Sequence, residues 1–180
     1  MIRLFAALAV PDEIAEGLAR RQNGLAGARW RPREALHITL KFAGDLREDV
    51  AADLDAELST VAGEPLTLEL SGVGCFGEGA DIHAVWAGVD DNPALKRLAK
   101  ACDSAARRAG LAAEARVYRP HVTLAYLRRP DPDKVAWWIQ ANNLLHSPPF
   151  EVRSFGLYSS VVTDAGSRYQ LEREYPLTPP

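Results

Sequence analysis

Ala35-Leu36-His37-Ile38-Thr39-Leu40-Lys41-Phe42 decides how this chain is read, because it has an echo at Pro120-His121-Val122-Thr123-Leu124-Ala125-Tyr126. Each stretch is His, an aliphatic residue, Thr, Leu, and each sits in an apolar alternation of the kind a β-strand shows. Successive side chains of a strand point to opposite faces. His37, Thr39 and Lys41 are therefore expected on one face, with Leu36, Ile38, Leu40 and Phe42 on the other. In the echo, His121 and Thr123 share a face and Val122, Leu124 and Tyr126 lie opposite. The apolar faces belong in a core, whereas the polar faces need another reason. Of the 4 histidines in the chain, two fall in this pattern at equivalent places in two similar halves, which core packing alone explains poorly.

Working outward, Met1 to Val10 reads as a buried first strand rather than a signal peptide, since Pro11-Asp12-Glu13 stands where small cleavage residues belong. Pro11 opens a helix that places Ile14 and Leu18 on one face, and Gly27 to Pro32 reads as a loop. After the first motif strand, Gly44-Asp45 is expected to turn the chain, with Asp45 or a neighbour capping a helix that carries Val50, Leu54, Leu58 and Val61. Leu66-Leu68-Leu70 alternate. Gly72 to Gly79 reads as a hairpin loop, lacking the Lys-Ser/Thr ending of a phosphate-binding loop, and Ile82 to Val89 returns as a strand. Asn92-Pro93 caps a third helix ending at Gly110. Asp131-Pro132 starts a fourth with Val135, Trp138 and Ile139 inward. Phe150 to Ser159 and Arg168 to Leu177 are two strands joined across Asp164-Ala165-Gly166.

The block helix, motif strand, helix, strand, strand thus occurs twice. The expected fold is α+β: two similar lobes, each an antiparallel sheet with helices on its outer face, related by a pseudo-twofold around a central cleft. Residues 1–180 form one bilobed domain on this reading, and each lobe offers one His-Thr strand to the cleft.

Composition narrows the function classes. A chain of 180 residues with 47% apolar content can fill a core, and its net charge of −3 provides no general field for nucleic acid. No apolar run reaches the length of a membrane span. Two cysteines outside any motif favour a reducing compartment, so a cytoplasmic protein is expected. Arg107, Arg108, Arg116, Arg119, Arg128, Arg129 and Lys134 gather in sequence around the second motif; such a local cationic site can bind a phosphate but not a long duplex.

Two facing histidines suit concerted acid–base catalysis, because imidazole titrates near neutral pH and one ring can hold a proton while the other lacks one. Threonine hydroxyls beside them can hold the non-bridging oxygens of a phosphate, with Lys41 or Arg116 as a cation. The symmetry leaves open which histidine is acid and which is base. A metal centre is the rival. Neither a His-x-x-x-His pair, nor a cysteine pair, nor a carboxylate at ligand spacing adjoins either motif, so no metal and no cofactor are expected. Ser159-Ser160 carries no nucleophile signature.

These residues resemble the 2H phosphoesterase superfamily, whose hallmark is a pair of His-x-Thr-Leu strands, and within it the RNA 2′,3′-cyclic phosphodiesterase branch, historically called 2′-5′ RNA ligase. Arg3 to Leu8 resembles the opening strand of that family. Leu36 to Gly44 resembles its first motif, Arg116 to Ala125 its second, and Phe155 to Ser160 with Tyr169 its C-terminal strands. The resemblance implies metal-independent hydrolysis of a nucleoside 2′,3′-cyclic phosphate to a 2′-phosphate; the chain is expected to act as a monomer. In that scheme His37 is the proton donor and His121 the acceptor; Thr39, Thr123, Lys41, Arg116 and Arg119 are the residues expected to bind substrate, either a cyclic nucleotide or RNA with a 2′,3′-cyclic phosphate end. It also implies 2′-5′ joining of tRNA halves. The alternatives are another cyclic nucleotide or 2′-5′ linked substrate, and a non-catalytic module that binds RNA ends. Two departures stand out: Tyr126, where the family often has Arg and where Arg128 or Arg119 would have to substitute, and Ala43, where it usually has Leu. Trp30, Phe42 and Tyr118 are the aromatic candidates to hold a base.

Overall fold

In the computed structural model, which describes residues 1–178, the elements follow the expected order. The first half runs β1 (Ile2–Ala9), α1 (Asp12–Ala19), β2 (Arg29–Trp30), β3 (His37–Leu46), α2 (Glu48–Leu58), β4 (Leu66–Leu68) and β5 (Leu70–Phe76). The second runs β6 (Ala84–Val89), α3 (Pro93–Arg108), β7 (His121–Tyr126), α4 (Pro132–Asn142), β8 (Phe150–Val152), β9 (Ser154–Thr163) and β10 (Gly166–Pro176). The fold is α+β, with four helices against a large antiparallel sheet of order β10-β9-β1-β3-β7-β6-β5; β2 also pairs with β7, and β4 pairs with β8 separately.

A duplication is visible in this order, but its frame differs from the expected one: the strand near Ile82–Val89, β6, opens the second repeat instead of closing the first, and β10 lies outside both. β1-α1-β3-α2-β4-β5 is matched by β6-α3-β7-α4-β8-β9, and the halves exchange their last strands: β9 pairs with β1, and β5 with β6. The exchange passes through the paired β4 and β8. Two lobes result, β10-β9-β1-β3 and β7-β6-β5, so neither lobe is a contiguous half of the chain. They meet where β3 and β7 share one Cα pair, Ile38 with Val122. These are the residues between His and Thr in the two motifs, and both are fully buried. Beyond that pair the strands part, and the parting opens a cleft.

The helices pack as their periodicity dictates. Asn92 caps α3, its side chain accepting from the Leu95 N–H at 3.0 Å, and Asp131 caps α4 from the Asp133 N–H at 3.0 Å. α3 buries Leu95, Leu98, Ala99, Cys102 and Ala106, and α4 buries Val135 and Trp138. α2 reaches β10 through the Tyr175 hydroxyl, which donates to Asp55 at 2.6 Å. α4 is tied to the end of α1 by Trp138 Nε1, which donates to the Arg21 carbonyl at 3.2 Å.

Three sequence expectations change. Gly44-Asp45 is not a turn: β3 continues to Leu46 through a bulge at Ala43, where Gly44 has φ 78°, and Asp45 pairs with Arg3 on β1 instead of capping α2. α2 follows Arg47 without a side-chain cap. The glycine-rich stretch is strand through Phe76 and turns only at Gly77, whose φ of 90° brings it against the Asp81 carbonyl. Arg29 and Trp30, read as loop, form β2 along the edge of β7 that β3 leaves free.

Candidate active site

Both motif strands carry the same irregularity. Between β1 and β3 the register passes from Ala7 opposite Thr39 to Ala6 opposite Lys41, so Leu40 is an extra residue. Between β6 and β7 it passes from Trp86 opposite Thr123 to Val85 opposite Ala125, so Leu124 is the extra one. A bulge shifts the two-residue alternation by one. His and Thr therefore share the cleft face as expected, but the residue two beyond Thr turns away and the residue three beyond it turns in. Lys41 and Ala125 become buried, and Phe42 and Tyr126 face the cleft, 55% and 37% exposed. These are corrections to the simple alternation, which put Lys41 in the cleft and both aromatics in the core.

His37, Thr39, His121 and Thr123 line one cleft of about 120 Å³ together with Phe42 and Tyr126. Each histidine is held in the same way. His37 Nδ1 lies 2.9 Å from the Ala35 carbonyl, and His121 Nδ1 lies 2.7 Å from the Arg119 carbonyl. A carbonyl only accepts, so Nδ1 carries the hydrogen in both rings, and Nε2 remains for substrate. Aromatic edges and faces brace the rings. Phe5, Tyr158 and Tyr169 stand 5.7, 4.8 and 5.2 Å from His37, and Phe76 stands 4.7 Å from His121. Burial holds both imidazoles below their ordinary pKa. His37 goes down to about 4, with the Arg31 charge as a further cause, and His121 is also lowered. Two positioned imidazoles suit an acid and a base in one step, and without substrate the proton affinity is the lower at His37.

The other sequence candidates lie elsewhere. Lys41 is 2.7 Å from Asp103 of α3, behind the sheet. Arg116 extends into solvent, 88% exposed, beside Glu114 at 3.3 Å. Arg119 is exposed and offers the cleft only its carbonyl, to His121. Trp30 packs 6.0 Å from Trp138, and Tyr118 donates to the Thr39 carbonyl at 2.8 Å, so of the three aromatics considered for a base Phe42 alone lines the cleft. Five lining residues are not among the site residues expected from sequence: Phe5, Arg31, Ala35, Tyr126 and Tyr169. Arg31 had no periodicity around it to reveal an inward direction, because that direction comes from the pairing of Trp30 with Ala125, remote in sequence.

Among the described residues, Glu69, Asp90 and His146 bring ligand atoms within 4.8 Å of one another, and none of them lines the cleft. No described helix is long and apolar enough to cross a membrane.

Comparison with known proteins agrees with this architecture. The family model described as the 2′-5′ RNA ligase superfamily matches residues 10–164. The chain is 30% identical over 172 residues to the RNA 2′,3′-cyclic phosphodiesterase of Archaeoglobus fulgidus, covering 94% of this chain and 97% of that one. It is 29% identical over 178 residues to that of Methanocaldococcus jannaschii, covering 97% and 100%. Among solved structures, E. coli LigT complexed with 3′-AMP is similar with a TM-score of 0.79 and 26% identity over 99% of both chains.

Proposed function

The chain belongs to the 2′-5′ RNA ligase superfamily, and from that membership and the geometry of its cleft we propose that it hydrolyses 2′,3′-cyclic phosphate ends of RNA to 2′-phosphates. The observation that carries the reading is the pair of equivalent histidines, each tethered through Nδ1, so that Nε2 is left for substrate, and each lining one cleft with Thr39 and Thr123.

In the proposed reaction the cyclic phosphate lies between the two motif strands, with its non-bridging oxygens toward the Thr39 and Thr123 hydroxyls. His121 Nε2 takes a proton from water, whose oxygen forms the new bond to phosphorus. The bond from phosphorus to the ribose 3′ oxygen breaks, and His37 Nε2 gives that oxygen its proton. His121 ends protonated and His37 neutral, and exchange with solvent resets the pair. The two proton transfers and the fixed hydroxyls supply positioning and charge stabilisation, which is what phosphoryl transfer chiefly needs. A ribose 5′-hydroxyl in place of water would give a 2′-5′ linkage by the same steps.

The test is hydrolysis of a 2′,3′-cyclic mononucleotide and of an RNA ending in a 2′,3′-cyclic phosphate, in EDTA, with the product isomer identified. The expected result is a 2′-phosphate at a rate EDTA does not change. A 3′-phosphate product would reverse the placement of the acid. Loss of activity in EDTA, restored by a divalent ion, would contradict the histidine mechanism, and no hydrolysis of either by folded protein would assign the cleft to another substrate.

A further inference from the structure

A phosphodiester brings one negative charge into the cleft, and neither Lys41 nor Arg116 is placed to meet it. Arg31 is. Among the residues that line the cleft it is the one with a fixed charge, and there is no carboxylate among them. Its guanidinium carbon stands 5.3 Å from the Tyr126 ring centre and 5.2 Å from that of Tyr169. Arg31 takes part in none of the ion pairs of the described residues. Its Nη2 is buried without a hydrogen-bond partner, a state shared among the described residues only by Trp86 Nε1. Buried donors in folded proteins are nearly always satisfied, whereas half-buried Arg31 leaves this one unpaired. A guanidinium flanked by two rings, with one nitrogen buried and unpaired, in a residue that lines a cleft of neutral donors, suits an anion.

The backbone explains why Arg31 points inward. Its N–H donates to the Leu124 carbonyl at 2.8 Å, and Gln22 Nε2 donates to both the Arg31 carbonyl at 2.9 Å and the Leu124 carbonyl at 3.0 Å. Leu124 is the bulged residue of β7. The segment leading into the first motif is thus fastened to the bulge of the second, and Arg31 is delivered into the gap between them.

We propose that Arg31 is the phosphate-binding residue of the cleft, its guanidinium taking the non-bridging oxygens of a monoanionic phosphodiester while the Tyr126 and Tyr169 rings fix its plane. The proposal rests on the cyclic phosphodiesterase reading for its substrate and on the unpaired guanidinium for its site. Bound phosphate would also offset the Arg31 charge that disfavours a proton on His37, so binding would load the donor.

Arg31→Met removes the charge and keeps an aliphatic stem between the rings; Arg31→Lys keeps the charge and loses the fork. Three quantities are measured for wild type and both variants: inorganic phosphate binding, followed by NMR of the histidine rings; kcat and KM for a 2′,3′-cyclic mononucleotide; and the His37 titration without ligand. Arg31→Met should abolish phosphate binding, lower kcat/KM by roughly 100-fold, as loss of a donor to a developing oxyanion does, and raise the pH at which His37 titrates. Arg31→Lys should restore part of each. The melting temperature should not fall, since no protein hydrogen bond to Nη2 is lost. Phosphate affinity and turnover unchanged in Arg31→Met would overturn the proposal while leaving the phosphodiesterase reading intact. Lost turnover with phosphate binding and His37 titration unchanged would overturn it too, making Arg31 a strut. Wild type that binds phosphate through Arg31 but hydrolyses no cyclic nucleotide would keep the anion site and refute the substrate.

Discussion

The two strands that face each other across the cleft share one pattern of burial, half-buried and buried residues alternating up to a doubled buried pair at the bulge. The segments that lead into them do not match. From Arg29 to Leu36 the chain is fastened through β2 (Arg29–Trp30) against β7 and through the Arg31 carbonyl to Gln22. From Leu111 to Pro120 it has no regular structure, and most of it is exposed, with Tyr118 turned in to meet Thr39. The first segment delivers a cation to the cleft, and the second sends Arg116 into solvent. Duplication provides the histidine and threonine twice, whereas acid–base chemistry needs the two copies to differ. The unequal segments make the copies differ: the Arg31 charge disfavours a proton on His37 and does not figure among the causes that lower His121, so the donor role of His37 depends on an anion that offsets that charge.

The largest effects should fall where the halves are equivalent. His37→Ala and His121→Ala should each lower kcat by about 10³- to 10⁴-fold with the melting temperature nearly unchanged, since each removes one of the two proton transfers of the step. A variant retaining a tenth of the activity would break the equivalence. Thr39→Val and Thr123→Val, which keep the strand-forming shape, should each cost roughly 10- to 100-fold in kcat/KM as hydrogen bonds to a charged oxygen are lost. A loss confined to one of them would show that phosphate lies nearer one lobe.

The pH profile tests the difference between the copies. With His37 required protonated and His121 neutral, kcat/KM should rise as pH climbs toward the lower titration, near 4 for His37, and fall above the upper one. Both imidazoles are held below their ordinary range, so the optimum for kcat/KM should lie below about pH 6.5. Anionic substrate favours the imidazolium, so the alkaline limb of kcat should sit at higher pH than that of kcat/KM. A kcat/KM still rising from pH 7 to 8 would contradict the assignment.

The smallest effects on turnover should come from the two cations outside the cleft. Lys41→Met strands the half-buried Asp103 carboxylate and should cost about 2–3 kcal/mol of stability, read by denaturant unfolding. Turnover should stay close to that of wild type. Arg116→Ala should change stability by less than about 0.5 kcal/mol and leave kcat/KM alone.

The lobes, the element order and the His-Thr pairs were legible because alternation reports a strand face directly, up to the first bulge. Lys41, Phe42 and Tyr126 were misread because an inserted residue inside a run such as Leu40-Lys41-Phe42 leaves no mark in composition; it is fixed by the neighbouring strand. The exchange of β5 and β9 between lobes was hidden for a related reason, since pairing partners remote in sequence set it. Arg31 needed both lessons at once, a short strand in an apparent loop and a partner in the other half.

The most direct test of opposite duties for equivalent histidines uses a 2′,3′-cyclic nucleotide whose 3′ oxygen is replaced by sulfur. A thiolate leaves without a proton far more readily than a ribose alkoxide, so such a substrate does without an acid but still needs a base. His37→Ala should hydrolyse the sulfur substrate at close to the wild-type rate while His121→Ala remains inactive on it. Recovery of His121→Ala instead, or of neither variant, would contradict that division of duties.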